Sequence, residues 1–134
     1  MSGSAAGAPG APGAAERVVE KPWGRERIWA ETERYVAKVI TIKPGERLSL
    51  QAHRIKDESL LVLRGRLRLH TGADQASMSS EDLGPGEHRR VPTGVIHRFE
   101  ALDEEVELVE VSTPELDDVI RLEDDYGREG TSAP

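Results

Sequence analysis

The chain has 134 residues, a net charge of −7, no cysteine and only 4% aromatic residues. This length gives room for a single domain, and the lack of cysteine excludes disulfides and thiolate metal sites. The acidic balance argues against a nucleic-acid partner, because nucleic acid is held by concentrated basic surface. No stretch approaches the roughly 18 apolar residues of a membrane span, and the N-terminus does not resemble a signal peptide. We therefore expect a cytoplasmic protein with no membrane partner.

The first fifteen residues differ in composition from the rest of the chain. Twelve of them are Ala, Gly or Pro, and none is charged. Such a stretch buries too little apolar surface to offset the entropy lost on ordering. The sequence therefore predicts a disordered tail over 1–15, a folded domain over 16–128 and a second disordered tail over 129–134.

Within the folded domain the hydrophobic residues alternate with a period of two. Turn signals such as Lys43-Pro44-Gly45 and Gly84-Pro85-Gly86 separate the alternating segments. This pattern predicts an all-β sandwich or barrel, and only the acidic segment after Pro114 suggests a helical turn. We predict seven or eight short strands, among them Tyr35–Ile42, Leu48–His53, Ser59–Leu63, Leu67–His70, Arg89–Val91, His97–Leu102 and Val106–Ser112.

Four side chains have the chemistry and spacing of metal ligands. Gln51 and His53 are two residues apart on a predicted strand, so they share a face. Glu58 begins the next strand, and His97 follows a turn that leads into a later one. Nitrogen and oxygen ligands of this kind suit Zn first, with Mn, Co, Ni or Fe as alternatives. The other interpretation is a hydrogen-bonded polar cluster that remains from a former metal site.

These residues lie within two strings of fixed spacing that resemble the paired motifs of the cupin superfamily. The resemblance implies a cupin double-stranded β-barrel (jelly roll) with a short C-terminal extension. The first string is Gly45, Gln51, His53, Glu58 and Gly65, with five, one, four and six residues between successive members, and the second is Gly86, Pro92, Gly94 and His97, with five, one and two.

Further segments resemble one branch of that superfamily, the cupin domain of type II, guanylyltransferase-linked phosphomannose isomerases. Gln51 stands where many other cupins have histidine. The resemblance implies a mannose-6-phosphate isomerase of carbohydrate metabolism, which interconverts an aldose phosphate and a ketose phosphate. The other matching segments are Lys21–Gly24, Ile40–Gly45, Pro92–Arg98 and Arg121–Arg128.

The sequence departs from the isomerase pattern on both sides of Glu58. Arg54 and Ile55 replace two histidines, and Ser59 and Leu60 replace His-Trp. These departures keep two alternatives open. One is a metal-dependent cupin of another reaction type, such as a dioxygenase or a lyase. The other is a non-catalytic sugar-binding cupin.

Lys38 is the predicted catalytic base. It shares strand parity with Ile40 and Ile42, which should face the barrel interior, and an isomerase needs a group that carries a proton between two carbons. The alternative is that this face is turned outward into a dimer interface, with Lys38 at its rim.

Basic residues are the predicted ligands of the substrate phosphate. Arg128 is assigned to the catalytic site and Arg121 to substrate binding, because a guanidinium group binds phosphate through two parallel hydrogen bonds. Arg54 and Lys56 in the loop before Glu58 are further candidates. The alternative for Arg121 and Arg128 is an ion pair with an acidic residue of 123–125.

A homodimer is also expected. Small cupins that resemble this chain commonly pair through an exchanged or added N-terminal strand, and residues Arg17–Trp29 could supply one. Trp23 and Trp29 are interpreted as core or interface anchors. The apolar residues of this segment are Val18, Val19, Trp23, Ile28 and Trp29.

Overall fold

The computed structural model describes residues 16–131, so the predicted tail over 1–15 and residues 132–134 lie outside it. The described part contains eleven strands and a short 3-10 turn at Gln75–Ser77. The strands are β1 (Arg17–Lys21), β2 (Gly24–Glu31), β3 (Val36–Ile42), β4 (Leu50–Ala52), β5 (Glu58–Arg64), β6 (Leu67–Gly72), β7 (Ser79–Leu83), β8 (His88–Val91), β9 (Ile96–Ala101), β10 (Val106–Ser112) and β11 (Ile120–Glu123).

The strands form two antiparallel sheets that enclose one interior. The first sheet has six strands in the order β1-β2-β3-β10-β5-β8, and the second has five in the order β11-β4-β9-β6-β7. The order departs from the order along the chain, as expected when connections cross between two sheets. The all-β class and the jelly-roll architecture predicted from the sequence are confirmed.

Three parts of the secondary structure differ from the prediction. The N-terminal segment forms a hairpin, because β1 pairs with β2 and β2 continues onto β3. Strand β7 was missed because its sequence, Ser-Ser-Glu-Asp-Leu, has no apolar alternation. The segment after Pro114, where only a helical turn was expected, contains a turn in which the Asp118 amide donates to the Glu115 carbonyl (3.2 Å), and strand β11 then follows and pairs with β4. No helix within 16–131 is long and apolar enough to cross a bilayer.

The C-terminal boundary also lies further along the chain than expected. Residues 129–131 were assigned to a disordered tail, but hydrogen bonds tie them to the body of the domain. The amide of Gly130 donates to the Arg121 carbonyl (3.0 Å), and an Arg121 Nη1 donates to the Thr131 hydroxyl (2.9 Å). Arg121 therefore holds this segment against β11.

The interior is apolar at one end and polar at the other. On β3, Ile40 and Ile42 belong to the hydrophobic core, whereas the next inward position is Lys38. On β10, Leu108 belongs to the core and is followed inward by Glu110. Strands β5 and β9 repeat the pattern with Glu58 and His97. Because inward positions recur every second residue, these four charged or polar side chains collect at the same end of the barrel.

The turn between β1 and β2 fixes the N-terminal hairpin onto the domain. Trp23 is only 2% exposed and packs in the core. Its carbonyl accepts a hydrogen bond from the Lys43 amide (2.9 Å). The neighbouring Gly24 has a φ of 155°, and a Cβ placed there would lie 1.9 Å from the Thr41 carbonyl oxygen. Only glycine therefore allows this close approach of β2 to β3.

We predict that Gly24→Ala destabilises the domain by about 3 kcal/mol or more, because backbone atoms must shift to admit the methyl group. Gly45→Ala is the matched control: its φ is 76°, but no atom lies within 4 Å of the added Cβ. We expect the control to cost only about 1–2 kcal/mol from its left-handed backbone. Urea denaturation measures the free energy of unfolding of both variants. An equal loss of stability in the two variants would contradict the role assigned to Gly24.

Candidate functional site

A His-Glu-His cluster lies at the polar end of the barrel. His53 follows β4, Glu58 begins β5 and His97 lies on β9, and all three are buried. The Nε2 of His53 lies 2.8 Å from Glu58 Oε1, and the Nε2 of His97 lies 3.8 Å from Glu58 Oε2. Their ligand atoms all lie within 4.8 Å of one another. The structure thus brings together three of the four predicted metal ligands.

The two imidazole rings are oriented by hydrogen bonds on the side away from Glu58. His53 Nδ1 contacts the Asp118 carbonyl and His97 Nδ1 lies 2.9 Å from the Val95 carbonyl. A carbonyl can only accept, so each Nδ1 carries the proton, and in the neutral ring Nε2 is left as a lone pair. This is the usual arrangement of metal-binding histidines.

Gln51, the fourth predicted ligand, lies in one cross-strand row with His97. The two residues are directly opposite each other in the β4–β9 pair, and Arg121 is opposite Gln51 in the β11–β4 pair. Opposed residues of antiparallel strands share a face. Gln51 also lines the interior cavity, so its amide belongs to the same side of the barrel as the cluster.

Asp118 holds the loop that carries His53, and it was not identified from the sequence. Its carboxylate accepts hydrogen bonds from the amides of Arg54, Ile55 and Lys56, at 3.0, 2.7 and 2.9 Å. Together with the contact from its carbonyl to His53, this fixes both the loop and the ring. A single acidic residue in a chain with 25 of them gives no sequence signal for such a role.

A buried ionic network adjoins the cluster. Lys38 Nζ lies 3.0 Å from Glu26 Oε1 and 3.8 Å from Glu110 Oε2. Lys56 Nζ lies 3.4 Å from Glu110 Oε2 and 3.6 Å from Glu58 Oε1. Lys38 therefore faces the interior, and of the two orientations considered for its strand the outward one is wrong.

The network contains one more carboxylate than ammonium groups, since three acids (Glu26, Glu58, Glu110) face two lysines. Burial and the nearby Glu58 carboxylate together raise the pKa of Glu110 to about 7, against the opposing effect of the Lys56 and Lys38 ammonium groups. Burial also acts to raise the pKa of Glu58, whereas the Lys56 ammonium acts to lower it. The network therefore has one ionisable carboxyl group more than it has ammonium groups.

These observations fit a divalent cation. Glu58 Oε1 lies close to His53 Nε2, yet within the described residues it has no hydrogen-bond donor. A carboxylate oxygen and two imidazole lone pairs that converge without a shared proton are suited to a metal, and a positive ion would balance the additional carboxyl group. His53, Glu58 and His97 could hold the ion, with Gln51 beside them.

A second group of charges lines the same cavity, which has a volume of about 210 Å³. Arg121 is 6% exposed, and its Nε has no hydrogen-bond partner within residues 16–131. Arg128 also lines the cavity, but its guanidinium forms two hydrogen bonds of 2.9 Å with Asp124. The ion pair that was the alternative for Arg128 is thus present, and Arg121 has no such partner among the described acids.

The two remaining predicted phosphate ligands lie in different surroundings. Arg54 is exposed and does not line the cavity. Lys56 is buried inside the ionic network, where burial acts to lower its pKa but the carboxylates of Glu110 and Glu58 raise it overall. Lys56 therefore pairs with carboxylates of the chain itself, and Asp118 holds the backbone amides of the loop that carries it.

Comparison with known proteins identifies the family. Residues 13–124 match the family described as "Mannose-6-phosphate isomerase C-terminal". The chain belongs to this family. The match covers the metal-ligand positions and the N-terminal hairpin, and it ends within the C-terminal extension that contains Asp124.

Curated relatives of this isomerase-family domain are longer proteins. Mannose-1-phosphate guanylyltransferase ManC of Salmonella typhimurium (strain LT2) is 38% identical over 116 residues, covering 84% of this chain and 23% of ManC. Xanthan biosynthesis protein XanB of Xanthomonas campestris pv. campestris (strain B100) is 34% identical over 116 residues, covering 84% of this chain and 24% of XanB. The chain thus spans about a quarter of the length of these relatives.

Solved structures support the cupin fold of the domain. CapF, crystallised with the inhibitor 3-isopropenyl-tropolone, superposes with a TM-score of 0.72 at 21% identity, over 81% of this chain and 35% of CapF. Bacillus subtilis oxalate decarboxylase OxdC superposes with a TM-score of 0.71 at 20% identity, over 81% of this chain and 30% of that one. At this level of identity the likeness shows the fold alone.

Sequence reasoning missed two buried acids of the cupin interior, Glu26 and Glu110. Each lies at an inward position of a strand, two residues from an apolar inward residue: Ile28 for Glu26 and Leu108 for Glu110. A charged residue at the inward parity of an otherwise apolar strand is a usable signal, because burying a charge is costly unless it is paired. That rule was applied to Lys38 but not to its two partners.

We predict that His97→Ala abolishes stoichiometric metal binding while the β-sheet signal in circular dichroism is retained. Gln51→Ala should weaken binding less, because a neutral amide oxygen is a weaker ligand than imidazole. His88→Ala is the control, since His88 is exposed on β8. Metal analysis after dialysis provides the readout. Full metal occupancy in folded His97→Ala would contradict the site.

Proposed function

We propose that this domain is a metal-dependent sugar-phosphate isomerase of the mannose-6-phosphate isomerase type. The observation that carries the proposal is one small cavity that is lined both by His53 and Glu58 of the His-Glu-His cluster and by buried, incompletely paired Arg121. The hydroxyl and carbonyl groups of a sugar phosphate suit the His-Glu-His cluster, and its phosphate suits Arg121. The family match supports the same substrate class.

The spacing of the two groups supports a substrate of this size. Arg121 and His97 lie two strand positions apart in the same cross-strand row, which corresponds to about 10 Å between their Cα atoms. The cavity lined by Arg121, His53 and Glu58 has a volume of about 210 Å³, which is smaller than the pockets that hold drug-sized ligands. A phosphorylated monosaccharide therefore suits the site better than a nucleotide sugar.

The proposed chemistry divides between the ion and the protein. A bound divalent ion, with Zn the first expectation and Mn, Co, Ni or Fe the alternatives, would act as a Lewis acid on the sugar oxygens. His53, Glu58, His97 and Gln51 would hold it. Lys38 is proposed to move the proton between C1 and C2, and Glu110 is the alternative, because its carboxyl group lies in the same buried network.

The four residues that depart from the isomerase pattern lie outside the lining of the cavity. Arg54 and Ile55 are exposed, Ser59 pairs with Arg90 of β8, and Leu60 packs in the hydrophobic core. None of the four replaced positions is among the residues that line the cavity. Their identity is therefore compatible with a retained sugar site.

A non-catalytic sugar-binding role is the second candidate. It is favoured by the fact that ManC, a relative which carries this domain, is named as a guanylyltransferase, and that ManC and XanB are both about four times longer than this chain. In such proteins the domain could bind a sugar phosphate without converting it. Binding without turnover in the assay below would select this candidate.

We predict that metal-loaded protein converts mannose 6-phosphate to fructose 6-phosphate and that chelation stops the reaction. Lys38→Ala should lower kcat by about 100-fold or more with little change in KM, as expected for general acid–base catalysis. Lys38→Arg should not restore activity, because guanidinium does not release its proton near neutral pH.

Glu110→Gln is the companion variant for this assay. A larger loss of kcat in Glu110→Gln than in Lys38→Ala would assign proton transfer to Glu110. Thermal denaturation must accompany both measurements, because breaking a buried ion pair can cost about 3–5 kcal/mol of stability. Absence of turnover in well-folded, metal-loaded wild-type protein would refute the isomerase proposal.

We also propose that the domain forms a homodimer. The six-stranded sheet exposes large apolar side chains, and Trp29 on β2 is 50% exposed. Exposed apolar patches of this kind commonly mark protein interfaces, and β1 at the sheet edge could add a strand to a partner copy. The other exposed apolar side chains on these strands are Val18, Leu61, Leu63 and Val111.

We predict a light-scattering mass twice that of the 14.7 kDa chain at micromolar concentration. Trp29→Asp should shift the mass toward the monomer, because it buries a charge in the interface. Ile55→Asp is the control, since Ile55 is 64% exposed on the loop before β5. A monomeric wild-type protein would exclude this dimer.

A further inference from the structure

Lys21 lines the cavity but belongs neither to the His-Glu-His cluster nor to the buried ionic network. It ends β1, is half-buried and lines the cavity together with Arg121 and Arg128. Within residues 16–131 no carboxylate lies within ion-pair distance of its ammonium group. Burial lowers the pKa of Lys21, and the positive charges of Lys38, Arg121 and Arg128 lower it further against the opposing effect of Glu26.

The charges that surround Lys21 do not balance. Glu26 is the acid that acts on it, but that carboxylate is hydrogen-bonded to Lys38 at 3.0 Å. Asp124 is held by both nitrogens of the Arg128 fork. Lys21 and Arg121 are thus left as two cations that face one cavity without a carboxylate of their own, and an anionic ligand would complete the balance.

The backbone around Lys21 holds it in a fixed position. Pro22 follows directly and restricts its backbone to extended conformations, Trp23 is anchored in the core, and Gly24 permits the close approach to β3. Pro22, Trp23 and Gly24 therefore all help to fix the backbone position of Lys21. The turn thereby fixes the point from which the Lys21 side chain reaches the cavity.

We propose that Lys21, presented by this turn, is the cation that selects phosphorylated ligands in the cavity, and that it binds the phosphate together with Arg121. Lys21 supplies a point charge, while Arg121 supplies directed N–H donors from the opposite sheet. The N-terminal hairpin is thereby a specificity element of the site. That the phosphate belongs to a sugar rests on the proposed function; the anion subsite does not.

Isothermal titration with inorganic phosphate tests the subsite without any assumption about turnover. We expect Lys21→Gln to weaken phosphate binding about tenfold or more, the loss typical of a charge-assisted hydrogen bond. Lys21→Arg should retain most of the affinity. Lys43→Gln removes an exposed lysine at the end of β3 and should change nothing.

A bound metal could also take phosphate, so each titration is repeated after chelation, and the effect of Lys21→Gln should persist. With mannose 6-phosphate and mannose as paired ligands, Lys21→Gln should weaken binding of the phosphorylated sugar only. Unchanged phosphate affinity in folded Lys21→Gln, or no phosphate binding by the wild type, would overturn the proposal. Lys21-dependent phosphate binding without isomerase turnover would refute the proposed function and leave this inference standing.

Discussion

The arrangement of this domain depends on keeping a group of ionised side chains inside a small β-barrel. Glu26, Lys38, Lys56, Glu58 and Glu110 are each at most 9% exposed. Charges at such depth are tolerated only when they are paired and hydrogen-bonded. The apolar half of the barrel buries the side chains that hold the two sheets together. In the polar half, the packed sheets keep ammonium and carboxylate groups within about 4 Å of each other.

The same constraint links the metal cluster to the rest of the cavity. The network has one carboxyl group in excess, and it adjoins two imidazoles whose Nε2 lone pairs face Glu58. A divalent ion at this point would balance the additional carboxyl group, so metal affinity and the ionisation of Glu110 should be coupled. The balance is reversed at Lys21 and Arg121, which line the same cavity and have no carboxylate partner within residues 16–131. Under the two proposals above, the cavity would bind a cation at the His-Glu-His cluster and an anion at Lys21 and Arg121.

Two segments outside the paired metal motifs complete the site. The N-terminal hairpin contributes Glu26 and Lys21, and the C-terminal extension contributes Arg121 and Arg128. Asp118, just before β11, holds the loop that carries His53. A barrel cut back to its central strands would lose all of these groups. The family match accordingly covers the hairpin and strand β11 as well as the two metal motifs.

The sequence by itself determined the all-β class and the family, and it singled out His53, Glu58 and His97, which the structure brings together, because alternation and residue spacing are local properties of the chain. It also placed Lys38 on the correct parity. It did not reveal Glu26, Glu110 or Asp118 as parts of the site, nor strands β7 and β11, because the sheet topology chooses pairing partners that are far apart in the chain, such as Leu50 and Glu123. Nor could it distinguish Arg128, which is neutralised by Asp124, from Arg121, which is not. That difference depends on which carboxylate lies within reach after folding, and only the tertiary structure decides it.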